Sequence, residues 1–257
     1  MQTVMIRNLE VGVGAPKVIV PIVGKTEEQI VEKAAELKGY TMDMVEWRVD
    51  YCEYAYDAEK LLQIAQKLRE ELGETPILFT FRTKKEGGEK EIDLAAYTAL
   101  NKAMAESKLV DAVDVEIFSG DAIVEENIAN IHAAGAVVIG SSHDFDGTPK
   151  KSDMIYRLRK MQDMGADIAK IAVMPHDKAD VVALLDATQE MYTNYAVRPI
   201  MTMSMGPLGV ISRLTGETFG SSMTFGAVGQ VSAPGQISVH RLNDVLEVLH
   251  NSAVPMG

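Results

Sequence analysis

The chain sets ionisable side chains inside apolar runs, where charge is costly. Lys170 sits amid DIAKIAVMP (167–175). Glu46 and Arg48 lie two apart in MVEWRVDY (44–51), with Asp50 continuing the row. Arg82 closes PILFTFR (76–82), Asp114 and Glu116 share one face of DAVDVEIF (111–118), and His143 lies near the end of AVVIGSSHDF (136–145). An ionised group taken out of water without partners costs several kcal/mol. Two explanations survive: a salt-bridge layer within a core, or a binding pocket.

Lys170 is the sharpest case. A strand lysine taken alone more often escapes to a barrel mouth or pairs with a carboxylate such as Asp114 or Glu116. The chemical alternative is an amine whose charged form is disfavoured by burial and by the nearby cations Arg48 and Arg82. Such an amine can attack a ketone and form a Schiff base, which acidifies the adjacent carbon. His143 suits a proton carrier, although a lone histidine near a strand end is more often a hydrogen-bonded structural residue. Glu86, in the loop TKKEGGE (83–89), could fix its tautomer; on pattern alone that loop reads as a solvated turn. Arg213 is either a surface arginine or a bidentate clamp for a carboxylate. Ser232 and Gln236 belong to a mobile cover or to a plain turn.

These groups need a scaffold that gathers strand ends. Apolar β-branched runs begin near Lys17, Met44, Pro76, Asp111, Ala136, Asp167, Arg198 and Met223, bounded by Gly, Pro and Asp, and read as buried parallel strands. Helical spacing fills the gaps, as over Glu27–Lys38, Asp57–Gly73, Ser152–Met164, Asp177–Tyr195 and Ser238–His250. The units recur at roughly 30-residue intervals, as strand–helix crossovers require. Eight strands and eight helices predict a (β/α)₈ TIM barrel occupying residues 1–257 as one domain, with active residues at the C-terminal strand ends. An open doubly wound sheet is the competitor, but Gly24-Lys25-Thr26 is neither a dinucleotide fingerprint nor a P-loop. Residues 3–12 are expected to form a strand or β-hairpin closing the barrel floor.

Of 257 residues, 47% are hydrophobic and 24% charged, an ordinary globular mix. A net charge of −12 argues against a nucleic-acid partner, though a few arginines can still make a locally positive pocket. The single cysteine, Cys52, permits neither an intrachain disulfide nor a zinc cage. No metal motif is found, and most of the 15 methionines read as core filler. No apolar run approaches the roughly 20 residues that span a bilayer, and the first residues lack a signal-peptide pattern. The expectation is a cytoplasmic protein without membrane association.

The segments EWRVD (46–50), FTFRTKKEGGE (79–89), SSHDF (141–145), GADIAKIAVMP (165–175), MTMSMGPLGVISR (201–213) and SAPGQISV (232–239) resemble, in order, type I 3-dehydroquinate dehydratase of the shikimate pathway, an (α/β)₈ barrel. The similarity runs from about Thr3 to His250. It implies that Lys170 forms the Schiff base, that His143 is the general acid/base and that Glu86 orients it. It further implies that Glu46, Arg48, Arg82, Arg213, Ser232 and Gln236 contact the substrate, 3-dehydroquinate, with Phe145, Met203, Met205 and Phe225 as apolar walls. A homodimer without metal or organic cofactor is implied as well. Pro21 departs from the family, which often has a serine there; a modest change in substrate binding is expected. The rival readings are another Schiff-base lyase, such as an aldolase on a sugar phosphate, and a non-catalytic ligand-binding barrel.

Overall fold

The computed structural model describes residues 1–229 and 232–253. A short hairpin, β1 (Val4–Ile6) and β2 (Leu9–Val11), opens the chain, with Arg7 in the left-handed region at the turn. The β-branched runs follow as β3 (Lys17–Ile22), β4 (Met44–Arg48), β5 (Ile77–Thr80), β6 (Ala112–Glu116), β7 (Val137–Asp144), β8 (Ile168–Val173), β9 (Ile200–Ser204) and β10 (Met223–Ala227). All pair in parallel in sequence order from β3 to β9, and β10 pairs back with β3. A two-residue strand, β11 (Ile237–Ser238), pairs in parallel with the end of β10.

The alternating helices are α1 (Glu27–Leu37), α2 (Ala58–Leu72), α3 (Leu94–Glu106), α4 (Asp121–Ala133), α5 (Lys151–Asp163) and α6 (Lys178–Asn194), then α7 (Val210–Leu214), α8 (Gly216–Phe219) and α9 (Val239–Ala253). Thr26, Asp57, Asp93 and Asp177 cap the N-termini of α1, α2, α3 and α6 through their side chains, which satisfies amides the first turn leaves open. The expected seventh helix is split into α7 and α8. The second piece stops at Gly220, whose φ is +101° and where a Cβ would stand 2.3 Å from the Tyr192 ring, so only glycine fits.

The seam between β9 and β10 is reduced to one isolated bridge, Ile200 to Ser221. Ser222 N–H donates to Ile200 O at 2.8 Å, and Ser221 Oγ accepts from Thr202 N–H at 3.0 Å. A side chain thus does part of the ladder's work, and the sheet closes into the barrel. Pro21 is tolerated for a related reason. Lys17 N–H donates toward β10, so by alternation Pro21 would point its missing N–H the same way. The β3–β10 register ends at Ile19 and Phe225, before Pro21 is reached.

Two apolar cores result. The larger lies between strands and helices and takes the outward residues, such as Trp47, Phe79, Val115 and Ile171. The smaller lies inside the barrel. There Val4, Ile6 and Val11 of the hairpin pack with Ile19, Met44, Leu78, Ala112, Ile139 and Ile168, which stand near the starts of their strands. The hairpin therefore closes the floor. Among the described residues, no helix is long and apolar enough to cross a membrane.

Candidate active site

Side chains alternate faces along a strand, so the inward row that begins with floor residues continues upward in steps of two. From Ile168 the next is Lys170; from Ala112 come Asp114 and Glu116; from Ile139, Ser141 and His143; from Met44, Glu46 and Arg48. Arg82 stands two residues past Thr80, just beyond β5. The sheet register brings these rows level, pairing Ser141 with Lys170, His143 with Ala172 and Arg48 with Thr80. At the top they surround a cavity of about 470 Å³. Every residue to which the resemblance gave a role lines it, from Glu46 to Gln236, together with Gly87, Ala172 and Ala233.

Lys170 is 3% exposed, and its Nζ lies 4.9 Å from the Phe225 ring centroid. Of the two sequence readings, pairing with Asp114 is seen, and Glu46 joins it in place of Glu116. Asp114 Oδ2 lies 3.5 Å and Glu46 Oε1 3.6 Å from Nζ. The expected cations are already paired. Arg48 donates from Nε and Nη2 to Asp50, both at 2.8 Å. Arg82 donates to Asp114 (2.8 Å), Glu116 (2.9 Å) and Ser141 Oγ (3.0 Å). Asp50 does not continue the strand row. β4 ends at Arg48, and a 3-10 turn over Val49–Tyr51 swings the carboxylate back onto it.

The 83–89 loop is not a solvated turn. A 3-10 turn over Lys84–Glu86 buries Glu86, whose Oε2 accepts from the His143 backbone N–H at 3.0 Å and lies 2.9 Å from His143 Nδ1. The missed signal was the pair Gly87-Gly88. A Cβ on Gly87 would stand 2.2 Å from Phe145, and one on Gly88 1.9 Å from Arg82 O; only glycines let the loop fold down onto the site. Burial, then the nearby Glu116 charge, pushes the Glu86 carboxyl up to about 8 despite Arg82. Burial, reinforced by Arg82, Lys170 and Arg48, holds His143 well below its ordinary value. Both effects disfavour a charged Glu86–His143 ion pair and leave the imidazole neutral, as a base must be.

Arg213 is not a surface residue. It is 1% exposed and, among the described residues, has no carboxylate partner. Its Nη2 donates to Pro234 O at 3.0 Å, Nη1 approaches Met203 Sδ at 3.7 Å, and Nε has no partner. Burial alone lowers its pKa to about 10. Beside it Ser232 and Gln236 bond each other, Gln236 Nε2 donating to Ser232 Oγ and Ser232 N–H to Gln236 Oε1, each at 3.0 Å. Of the 226–236 cover, residues 230 and 231 lie outside the described residues. Phe145, 39% exposed, is an apolar wall open to solvent, whereas Met203, Met205 and Phe225 are buried walls. The site also includes residues given no role from sequence. Ser141 donates to Asp114 Oδ1 at 2.6 Å, and Thr80 donates to Glu46 at 3.1 Å. Their place on the inward row was the available signal.

The model of the family "Type I 3-dehydroquinase" matches residues 18–253. A 3-dehydroquinate dehydratase of Clostridioides difficile is 49% identical over 249 residues, 97% of this chain and 98% of that protein. One from Salmonella paratyphi B is 51% identical over 252 residues, 98% of this chain and all of the other. In three dimensions the chain is similar to the crystal structure of the Clostridium difficile type I enzyme with covalently modified comenic acid, with a TM-score of 0.95 over 98% of this chain and 99% of that one at 49% identity. A 3-hexulose-6-phosphate synthase shares the fold alone, with a TM-score of 0.58 at 14% identity over 89% of this chain and 99% of the other. A barrel whose rim carries these groups, matched from its first barrel strand to its last helix, is a member of the type I 3-dehydroquinase family of enzymes.

Proposed function

We propose that this chain dehydrates 3-dehydroquinate to 3-dehydroshikimate through an imine on Lys170. One observation carries the reading: the cavity that holds a buried amine is also lined by Arg213, a buried guanidinium without a carboxylate partner among the described residues. A lone buried cation costs several kcal/mol in the free protein and is kept where an anion is to be bound. The complementary ligand is a small molecule with both a ketone and a carboxylate, as 3-dehydroquinate has. A guanidinium would pair a phosphate as well, so it is membership of the family, not this pairing, that weighs against the sugar-phosphate and non-catalytic readings.

Lys170 Nζ attacks the ketone carbon; a C–N bond forms, and the carbonyl oxygen leaves as water. The iminium draws electrons from the adjacent carbon, whose proton passes to His143. The resulting enamine expels the β-hydroxyl, which His143 protonates so that it leaves as water. Hydrolysis of the second iminium frees the lysine. The covalent link divides one difficult elimination into easier steps. Glu86 holds His143 at the required angle. Arg213, with Ser232 and Gln236, binds the carboxylate; Glu46 and Arg82 address the ring hydroxyls; Arg48 adds positive charge above Lys170. Positioning of this kind supplies several kcal/mol of the barrier. By the same reading the chain works as a cytoplasmic homodimer, which light scattering of the purified protein tests.

Formation of the conjugated enone from 3-dehydroquinate, followed by ultraviolet absorbance, tests the activity. Borohydride added with substrate is expected to fix an adduct on Lys170, located by peptide mass. Normal turnover with an unmodified Lys170 would remove the imine from the mechanism.

A further inference from the structure

Two carboxylates stand almost equally close to Lys170, but they are placed differently. Glu46 belongs to the cavity wall, where substrate reaches it. Asp114 is fully buried and does not line the cavity; its Oδ2 lies 3.5 Å from Nζ. Donors surround it: Arg82 Nη2 at 2.8 Å on Oδ2 and Ser141 Oγ at 2.6 Å on Oδ1, while Tyr97 OH donates to its backbone carbonyl at 3.1 Å. Burial alone would raise the Asp114 pKa, but Arg82 and Lys170 outweigh it and hold the group below its ordinary value. A carboxylate so held stays ionised; it is an anion rather than a base.

The nitrogen of Lys170 carries one positive charge as an ammonium. It carries one again as an iminium, because ammonium plus ketone gives iminium plus water. It carries none as an enamine. The charged and titratable groups around it are Glu46 and Arg48 from β4, Arg82 after β5, Glu86 from the loop, Asp114 and Glu116 from β6, His143 from β7 and Arg213 from α7. Three of these are arginines, and a bound substrate engages Glu46. An imine left among those cations loses its proton readily, and an unprotonated imine is a poor electron sink.

Building on the imine reading above, we infer that Asp114 is a positioning residue for this reaction, the permanent buried counter-charge that keeps the Lys170 imine protonated while substrate occupies Glu46. It acts through Lys170 and never touches substrate.

The test is borohydride trapping with 3-dehydroquinate across pH 5 to 10, read as adduct on Lys170, beside turnover over the same range. In Asp114→Asn the amine loses its stabilising anion, so half-maximal trapping moves to lower pH by about one unit or more, and turnover falls about ten-fold or more. In Ser141→Ala the carboxylate keeps its charge and loses a donor, so the profile moves the other way, to higher pH. Glu116→Gln weakens the hold on Arg82 Nη1 but keeps the Asp114 carboxylate and its direct contact with Lys170; it slows turnover and moves the trapping profile far less than Asp114→Asn does. An Asp114→Asn profile that superimposes on the parent's overturns the inference. So does a Glu116→Gln profile shifted as far, because the effect then runs through Arg82. Should Asp114→Asn fail to fold, an unshifted Ser141→Ala profile overturns it alone. A parent protein that yields no adduct at any pH removes the imine itself, and the counter-charge with it.

Discussion

The floor and the rim of the barrel are built by the same strands and differ in little else than position along them. At the floor the inward residues are Ile19, Met44, Leu78, Ala112, Ile139 and Ile168, sealed by the hairpin. One step up, the rows of β4 to β8 turn polar, with Glu46, Thr80, Asp114, Ser141 and Lys170. The rows of β9 and β10 stay apolar throughout, as Met201, Met203 and Met205, then Met223 and Phe225. The rim therefore has a charged half and a hydrocarbon half, and Lys170 stands at their boundary, between two carboxylates and the Phe225 ring. Apolar burial stabilises at about 25 cal/mol per Å² wherever it occurs. Charges can be gathered above only because a packed layer below holds the strands in register.

That division predicts that rim substitutions change chemistry and floor substitutions change stability. The largest effect is expected at the rim. His143→Ala removes the proposed proton carrier and should lower turnover by about 10²- to 10⁴-fold, while the proposed Lys170 imine should accumulate and the melting transition stay near that of the parent. Full activity in that variant would take the histidine out of the mechanism.

The floor counterpart is Leu78→Ala. Leu78 is fully buried in the inner core, and truncating such a side chain costs about 2 to 5 kcal/mol. Denaturant titration should register that loss, with kcat of the folded fraction unchanged. A large fall in kcat would mean that floor and rim are not separable.

Much of this was legible because both halves obey a period of two. The strand starts, the floor hairpin and the inward polar rows all follow from alternation and from spacing, and the observed strands begin within two residues of the expected positions. What pattern hid was contact between distant segments. Charge density in the 83–89 loop suggested solvent, and the two glycines that let Glu86 reach His143 carry no charge or hydropathy signal. Asp50 looked like one more strand residue because alternation cannot announce where a strand stops. The cations expected around Lys170 were present, but Arg48 is paired by a local turn that returns Asp50 onto it, and Arg82 by Asp114 and Glu116, which only the folded register brings to it.

Arg213 sharpens the comparison, since it is a charge on the hydrocarbon half of the rim. With no carboxylate partner among the described residues, its burial destabilises the free protein. Arg213→Met, which keeps most of the volume, should leave the ligand-free protein at least as stable as the parent. KM should rise about 100-fold, the worth of a charge-assisted carboxylate contact of roughly 3 kcal/mol. A destabilised variant with an unchanged KM would make the guanidinium structural.

The smallest effect lies in how stability depends on pH, and it separates the rim's own titrating pair. Glu86 is raised from 4.5 to about 8 in the folded protein. Between those values the folded state keeps a proton that the unfolded chain has released, so stability falls as pH rises. His143 is held well below 6.5. Below 6.5 the unfolded chain gains a proton that the folded state refuses, so stability falls as pH drops. Between 4.5 and 6.5 the two slopes oppose each other, and from 6.5 to 8 only that of Glu86 remains. Glu86→Gln keeps an acceptor for both His143 N–H groups but cannot ionise. Its urea-unfolding free energy should therefore escape a decline on the order of 2 kcal/mol across pH 6.5 to 8. If parent and variant instead run parallel over that interval, Glu86 is ionised in the folded protein at neutral pH, and the rim holds a charged Glu86–His143 pair rather than a neutral one.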